Sequence, residues 1–301
     1  MNIITMSKKK LESLEPLVLK KGIMNTEAQI LEFKDNRGNE KILKRLYNDG
    51  GSSFANKLYT IEMLNTYQEY LPSNFVIPDS LVSVNKRIVA FTIPKAKGEN
   101  LSIILNSNEI SIEEQIYYLK KIGEILEQLK NIRKYTALKD LYISDLHESN
   151  FIANPSNKHL SVIDLDSCKI AENRPFVSRY LTHFSLLKDT LQKYKVNKDE
   201  SLPAYIVANE QSDLYCYCSV ILNYLFGSNI NNLSIAEFYQ YMNYLNDIGV
   251  SKELIDDLEK IVTYHDNENP LYSLDTLTKE QVVRAKEFVY RKVQEKRKSS
   301  K

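Results

Sequence analysis

Tryptophan is absent from the 301-residue chain, and cysteine, glycine and proline are scarce, at three, eight and eight residues. An odd, small number of cysteines cannot build the paired framework of a small secreted domain and suits a reducing compartment. So few glycines and prolines argue against an all-β chain rich in turns. An excess of either charge is missing too. Lys and Arg number 40 against 39 Asp and Glu, a net charge of +1, so the bulk electrostatics point to neither nucleic acid nor a membrane surface as partner. No apolar run is long enough to span a bilayer, and residues 1–11 lack the apolar core of a signal peptide. The expectation is a cytoplasmic protein. Its 43% hydrophobic and 26% charged residues are of globular proportion, enough for one large domain or two modest lobes. Twenty tyrosines beside plentiful lysine and asparagine follow AT-rich codon usage rather than a tyrosine-built binding surface.

The first third reads as strands with one helix. Residues 28–33 and 41–47 alternate apolar and polar around the polar turn 34–39, which predicts a hairpin. Phe54, Leu58, Ile61, Leu64 and Tyr67 fall at helical spacing, and Pro72 ends that helix. Strands follow at 75–78, 80–84 and 88–93, making a small, mainly antiparallel sheet. Near 94–98 sheet composition gives way to helix. Three capping boxes open later helices, at Ser111/Glu114, Ser234/Glu237 and Thr278/Gln281. Residues 212–226 are apolar almost all round, which predicts a buried helix. Among these helices sits a second hairpin, 151–153 and 159–163, joined by the turn residues Asn154 to Asn157.

Chemistry concentrates at the ends of that second hairpin. Asp145-Leu-His-Glu-Ser-Asn150 precedes it and Asp164-Leu-Asp166 follows it. Asn150 and Asp164 offer the hard oxygen donors that Mg2+ prefers. Asp145, five residues before Asn150, is placed to orient a hydroxyl or accept its proton. Turn capping alone would explain a single such residue, but not the whole pattern flanking one hairpin.

Here the chain resembles the protein-kinase superfamily, whose signature is H-R-D-x-x-x-x-N followed by D-F-G. Residues 143–150 and 164–166 align to these without gaps. Lys41-Ile-Leu-Lys44 stands on a strand where V-A-I-K belongs, with Glu62 on the next helix. Ser212-Asp-Leu-Tyr215 and residues 267–270 look like segments of soluble bacterial eukaryotic-like Ser/Thr kinases. The resemblance implies a bilobal α+β fold: a β-rich N-lobe over residues 1–94, a helical C-lobe over 95–301 and a hinge near 93–98. It implies ATP and Mg2+ as cofactors. Lys44 would grip the α- and β-phosphates, ion-paired with Glu62, and Asp145 would be the catalytic base. Asn150 and Asp164 would bind the metal. Gly22 would belong to the phosphate loop, Thr92 would be the gatekeeper, Ile93 and Lys95 would meet the adenine edge and Glu99 the ribose. Asp213 would be structural, accepting backbone N–H bonds from the catalytic loop. The implied reaction is γ-phosphoryl transfer to Ser/Thr hydroxyls of a protein, the chain itself included.

Several residues depart from the signature. Only Gly22 fits the glycine-rich loop, leaving Asn25 and Thr26 as side-chain substitutes. Ser144 replaces the arginine that pairs with a phosphorylated activation loop, so activity independent of such phosphorylation is expected. Hydroxyls such as Ser178, Tyr180, Thr182 and Ser185 populate the segment after the metal loop. Asp145-Leu-His147 also resembles aminoglycoside and choline phosphotransferases, a reading that leaves a small-molecule acceptor open. A pseudokinase scaffold is the third reading. Asp166 replaces the glycine of D-F-G, either approaching metal or facing solvent. The cysteines, Cys168, Cys216 and Cys218, read as packing residues.

Overall fold

The computed structural model describes residues 1–17, 28–47, 51–173, 208–227, 233–262 and 271–299. The expectations on Gly22, Asn25, Thr26, the hydroxyls at 178–185 and the 267–270 segment lie outside these residues.

The N-lobe is a five-stranded sheet ordered β1 (Asn2–Thr5), β4 (Ser80–Val84), β5 (Arg87–Pro94), β3 (Glu40–Leu46) and β2 (Ala28–Lys34). The expected hairpin is β2 (Ala28–Lys34) and β3 (Glu40–Leu46), paired antiparallel. Its turn is fastened by Asp35, which accepts the backbone N–H groups of Arg37 and Asn39 at 2.8 and 2.9 Å. β4 (Ser80–Val84) and β5 (Arg87–Pro94) complete the antiparallel part. The sequence does not announce β1 (Asn2–Thr5), which adds to the edge in parallel with β4. One face of the sheet packs Leu31, Leu43, Val82 and Ala90 against Leu11 of the short helix α1 (Lys8–Glu12). The opposite face packs Phe91, Ile93 and Leu46 against Phe54 and Ile61 of helix α2 (Ser52–Thr66). Strand alternation puts apolar residues on both faces, and each face is covered by its own helix.

Below the sheet the chain is mainly helical. After β6 (Glu99–Asn100) and α3 (Leu101–Asn106) comes α4 (Ile112–Tyr135), whose Ser111 accepts the Glu114 N–H as expected. The second hairpin is β7 (Phe151–Asn154) and β8 (His159–Val162), with β6 on the β7 edge. Helix α5 (Glu210–Phe226) is buried along nearly its whole length, as its all-round apolar sequence predicts. It begins in a capping box between Asn209 and Ser212. The helices α6 (Ile235–Asp247), α7 (Lys252–Val262) and α8 (Lys279–Ser299) complete the lobe. Among the described residues no helix is long and apolar enough to cross a membrane.

The lobes share backbone and core. The Val76 N–H donates to the Val162 carbonyl at 2.9 Å, and the Val162 N–H to the Asn74 carbonyl at 2.8 Å. The stretch before β4 is thereby an extra edge on the β7–β8 hairpin. Leu64, Phe75 and Ile77 pack into the same core as α4 and α5. These contacts set α2 directly above the hairpin.

Candidate active site

The hairpin positions the polar residues at its ends. Asn150 closes a short turn from His147 and then enters β7, so Asp145 and Asn150 meet on one side of the loop. The Asn150 amide nitrogen donates to the Asp145 carbonyl at 2.9 Å and lies 3.4 Å from Asp145 Oδ2. This leaves the amide oxygen as the Asn150 atom suited to a cation. Opposite, the Ile163 N–H donates to the Asn150 carbonyl at 2.9 Å, which sets Asp164 beside the loop. Ser144 and Asp164 both adopt left-handed backbone, at φ 66° and 63°. Non-glycine residues in that region cost energy and persist where the surroundings impose them.

Asp213 on α5 supplies part of that imposition. Its carboxylate accepts the N–H groups of Ile143 and Ser144 at 2.8 and 2.9 Å, the structural role anticipated for it. Burial raises its pKa to about 6, against the lowering effect of those two donors. Ser144 is buried, and its hydroxyl accepts the Lys169 N–H at 3.0 Å. The position expected to carry an arginine is therefore sealed by a backbone contact.

Lys44 on β3 reaches down to this loop, with only 3% of its surface exposed. Its ammonium pairs with Asp164 and donates to Asp166 at 2.8 and 3.1 Å. The expected ion pair with Glu62 is not formed: Glu62 is exposed on the solvent side of α2. The helical period explains this. Phe54, Lys57, Thr60, Ile61 and Leu64 make the buried stripe of α2, and Glu62 falls outside it. Lys57 occupies the inward position instead, 4% exposed, and donates to Asp166 Oδ2 at 2.8 Å and to the Ser167 hydroxyl at 3.0 Å. Asp166 is 1% exposed, so the alternative that it faces solvent is set aside. Burial opposes ionisation of Asp166, but the two ammoniums outweigh burial and hold it far below the usual carboxylate range. Asp164 is pushed upward by burial and by the neighbouring Asp166, which Lys44 offsets only in part. For Lys44, burial opposes the charge and the two carboxylates overcome it, so it stays charged.

Strand parity also corrects the hinge. Lys44 lies opposite Phe91 and Ile42 opposite Ile93, whereas Thr92 lies opposite Leu43. Thr92 is therefore on the face away from Lys44. It is not the gatekeeper; its hydroxyl donates to Asp79 at 2.6 Å, where Lys41 also binds at 2.6 Å. Phe91 and Ile93 are the β5 residues on the Lys44 face. The Lys95 N–H lies 3.4 Å from the Glu40 carbonyl, back toward the sheet, and its side chain pairs outside with Glu32. Glu99 is half-buried and accepts the Asn100 N–H at 3.1 Å.

His147 sits next to the acidic loop, its Nε2 3.7 Å from Asp145 Oδ2. Its Nδ1 accepts the Ser149 N–H at 3.3 Å, which puts any neutral-form proton on Nε2, toward Asp145. Two further residues escaped sequence reasoning. Asn100 donates to the Ser149 carbonyl at 2.7 Å and caps α3, tying the linker between lobes to the loop before β7. Asn173 donates to Thr60 Oγ1 and to the Cys168 carbonyl, both at 2.7 Å, tying α2 to the chain beyond the metal loop. The signal that was present for Lys57 is its position: a lysine three residues after Phe54 and four before Ile61, on the apolar stripe.

No family model matches the chain, and no curated protein matches it. Among solved structures it is similar to the apo form of a pseudokinase, at 9% identity and a TM-score of 0.54. The match covers 96% of this chain and 95% of that one. At so low an identity the likeness speaks for the fold, and the fold of this chain is that of the protein kinases.

Proposed function

We propose that this chain is a phosphotransferase that moves the γ-phosphoryl group of ATP to Ser or Thr hydroxyls of proteins, its own included, in the cytoplasm. The observation that carries the reading is the convergence of Lys44, Asp145, Asn150 and Asp164 at one end of the β7–β8 hairpin. Lobes of residues 1–94 and 95–301 would enclose the nucleotide, with the hinge at 93–98. Lys44 would meet the α- and β-phosphates, Phe91 and Ile93 would line the back of the adenine pocket, and Glu99 would face the ribose. Asp145 would orient the acceptor hydroxyl and take its proton.

The donor set fits Mg2+. Asp164 and Asn150 offer hard oxygens, while no group of three His, Cys, Asp or Glu side chains among the described residues could hold a metal unaided. That is the arrangement of a cation shared with nucleotide phosphates rather than caged by protein. Bound there, Mg2+ would neutralise charge on the phosphates. The buried Ser144 supports activity without a phosphorylated activation loop. Ser212-Asp-Leu-Tyr215, at the start of α5, supports a protein acceptor of the bacterial eukaryotic-like kind.

The test is incubation with γ-labelled ATP and Mg2+, alone and with a generic protein acceptor. Label on protein should fall about 10²–10⁴-fold in Asp145→Ala, with ATP binding retained. Label confined to added aminoglycosides or choline would reassign the acceptor to a small molecule, the alternative favoured by His147 beside Asp145. ATP binding without transfer to any acceptor would leave a pseudokinase scaffold.

A further inference from the structure

Four charged groups meet beneath the sheet, and their partners are unequally distributed. Among the described residues Asp164 pairs with one ammonium, that of Lys44, and adjoins the Asp166 carboxyl, whereas Asp166 lies between two buried ammoniums, those of Lys44 and Lys57. Both Asp166 oxygens are engaged: Oδ1 by Lys44 at 2.8 Å, Oδ2 by Lys57 at 2.8 Å and, more weakly, by Lys44 at 3.1 Å. A carboxylate gripped from one side only could rotate or swing with its backbone. Gripped from both sides, it fixes the direction in which Lys44 points. Lys57 is itself fixed by α2 and by the Ser167 hydroxyl at 3.0 Å. One turn further along the same helix, Thr60 accepts from Asn173 at 2.7 Å, so α2 is latched at successive turns to Asp166 and to the chain beyond it.

We infer that Lys57 is a positioning residue of the nucleotide site: it holds Asp166, and Asp166 in turn aims Lys44 at the phosphates. The inference rests on the nucleotide-binding reading of the cleft. It assigns to an α2 lysine and a metal-loop aspartate the anchoring role that the sequence leads one to expect of Glu62. Lys57 acts through Asp166 and does not itself touch the phosphates. The work of aiming Lys44 therefore moves from the helix to the loop, and α2 contributes a cation instead of an anion.

The test is ATP·Mg2+ affinity, by titration calorimetry, of the full chain and of Lys57→Met, Lys57→Arg, Asp166→Asn and the Lys57→Met/Asp166→Asn double variant, with circular dichroism to verify folding. Lys57→Met should weaken ATP binding about tenfold or more, and up to about a hundredfold, the scale of a hydrogen bond to a charged group that is no longer well made. Lys57→Arg, which keeps the cation, should recover most of the affinity. Asp166→Asn should weaken binding similarly, and adding Lys57→Met to it should change nothing further. That last comparison also avoids the two buried carboxylates sharing one ammonium that Lys57→Met alone leaves, so it stands even if Lys57→Met alone fails to fold. Unchanged affinity in folded Lys57→Met, or additive losses in the double variant, would overturn the inference while leaving the nucleotide-binding reading intact. Absence of ATP binding by the unmodified chain would overturn that reading first, and the inference with it.

Discussion

Asp213 shows how a single buried carboxylate shapes the loop that opens at Ile143. Its two oxygens meet two backbone N–H groups that would otherwise be buried without acceptors. Asparagine keeps the size but has one acceptor oxygen, so one N–H then faces an NH2 group. Asp213→Asn should destabilise the fold by about 1–3 kcal/mol near neutral pH, the cost of one unsatisfied buried group. The pH dependence follows from the raised pKa of about 6 against an ordinary 3.8. A carboxyl raised on folding binds more protons folded than unfolded between those values. Its stabilising protonation is complete below about pH 4 and is lost as pH rises through 6. The stability difference between the natural chain and Asp213→Asn should therefore shrink by roughly 2 kcal/mol from pH 4 to pH 7. Chemical denaturation at several pH values measures it. A difference that grows over this interval would show that the two backbone donors, not burial, dominate this carboxylate.

At the scale of elements, alternation and helical period decided which side chains share a face, and they explain what the sequence made legible. The two hairpins, the buried α5 helix and the caps at Ser111, Ser234 and Thr278 could all be read from pattern. Asp145, Asn150 and Asp164 could be placed because a short hairpin brings its own ends together. Thr92 and Glu62 went astray for a different reason. Motif matching counts residues, whereas the sheet and the helix assign faces, and one residue of slip reverses a strand side chain. Of Lys57 only its place on an apolar stripe was legible; its meaning depended on Asp166, 109 residues away, lying beneath it. The linker between lobes carries a similar constraint at Gly98. Its φ is +132°, and an added Cβ would lie 2.2 Å from the Ala153 carbonyl oxygen. Gly98→Ala should cost about 1–3 kcal/mol in strain and forced repacking. It should also part β6 from β7, where Glu99 pairs with Ala153. Amide hydrogen exchange across 98–101 and 151–154 should speed up in the variant, and unchanged protection would mean the linker can shift aside.

For the molecule as a whole, the cleft between lobes is both the candidate site and a large part of what couples the lobes. Lys44 belongs to the sheet, Lys57 to α2, and Asp164 and Asp166 to the loop after the β7–β8 hairpin, so the ion network spans all three. Two ammoniums and two carboxylates sum to zero charge. A free divalent cation would compete with Lys44 for Asp164 without supplying the phosphates that both could share. Mg2+ alone should therefore leave the melting temperature essentially unchanged. On the proposed reading ATP·Mg2+ would bring its own anionic ligands, with Lys44 holding the phosphates and Asp164 the metal. At a ligand concentration a hundred times Kd the stabilisation should be about 2.7 kcal/mol, equivalent to a rise of roughly 5 °C for a chain of this size. Asp164→Ala should retain some response to ATP through Lys44 but lose the added response to Mg2+. Calorimetric melting of both chains, with Mg2+, with ATP and with the two together, separates these terms. If Mg2+ alone stabilised the natural chain as much as ATP·Mg2+ does, the metal would have a protein-built site of its own, and the shared-phosphate arrangement would be wrong.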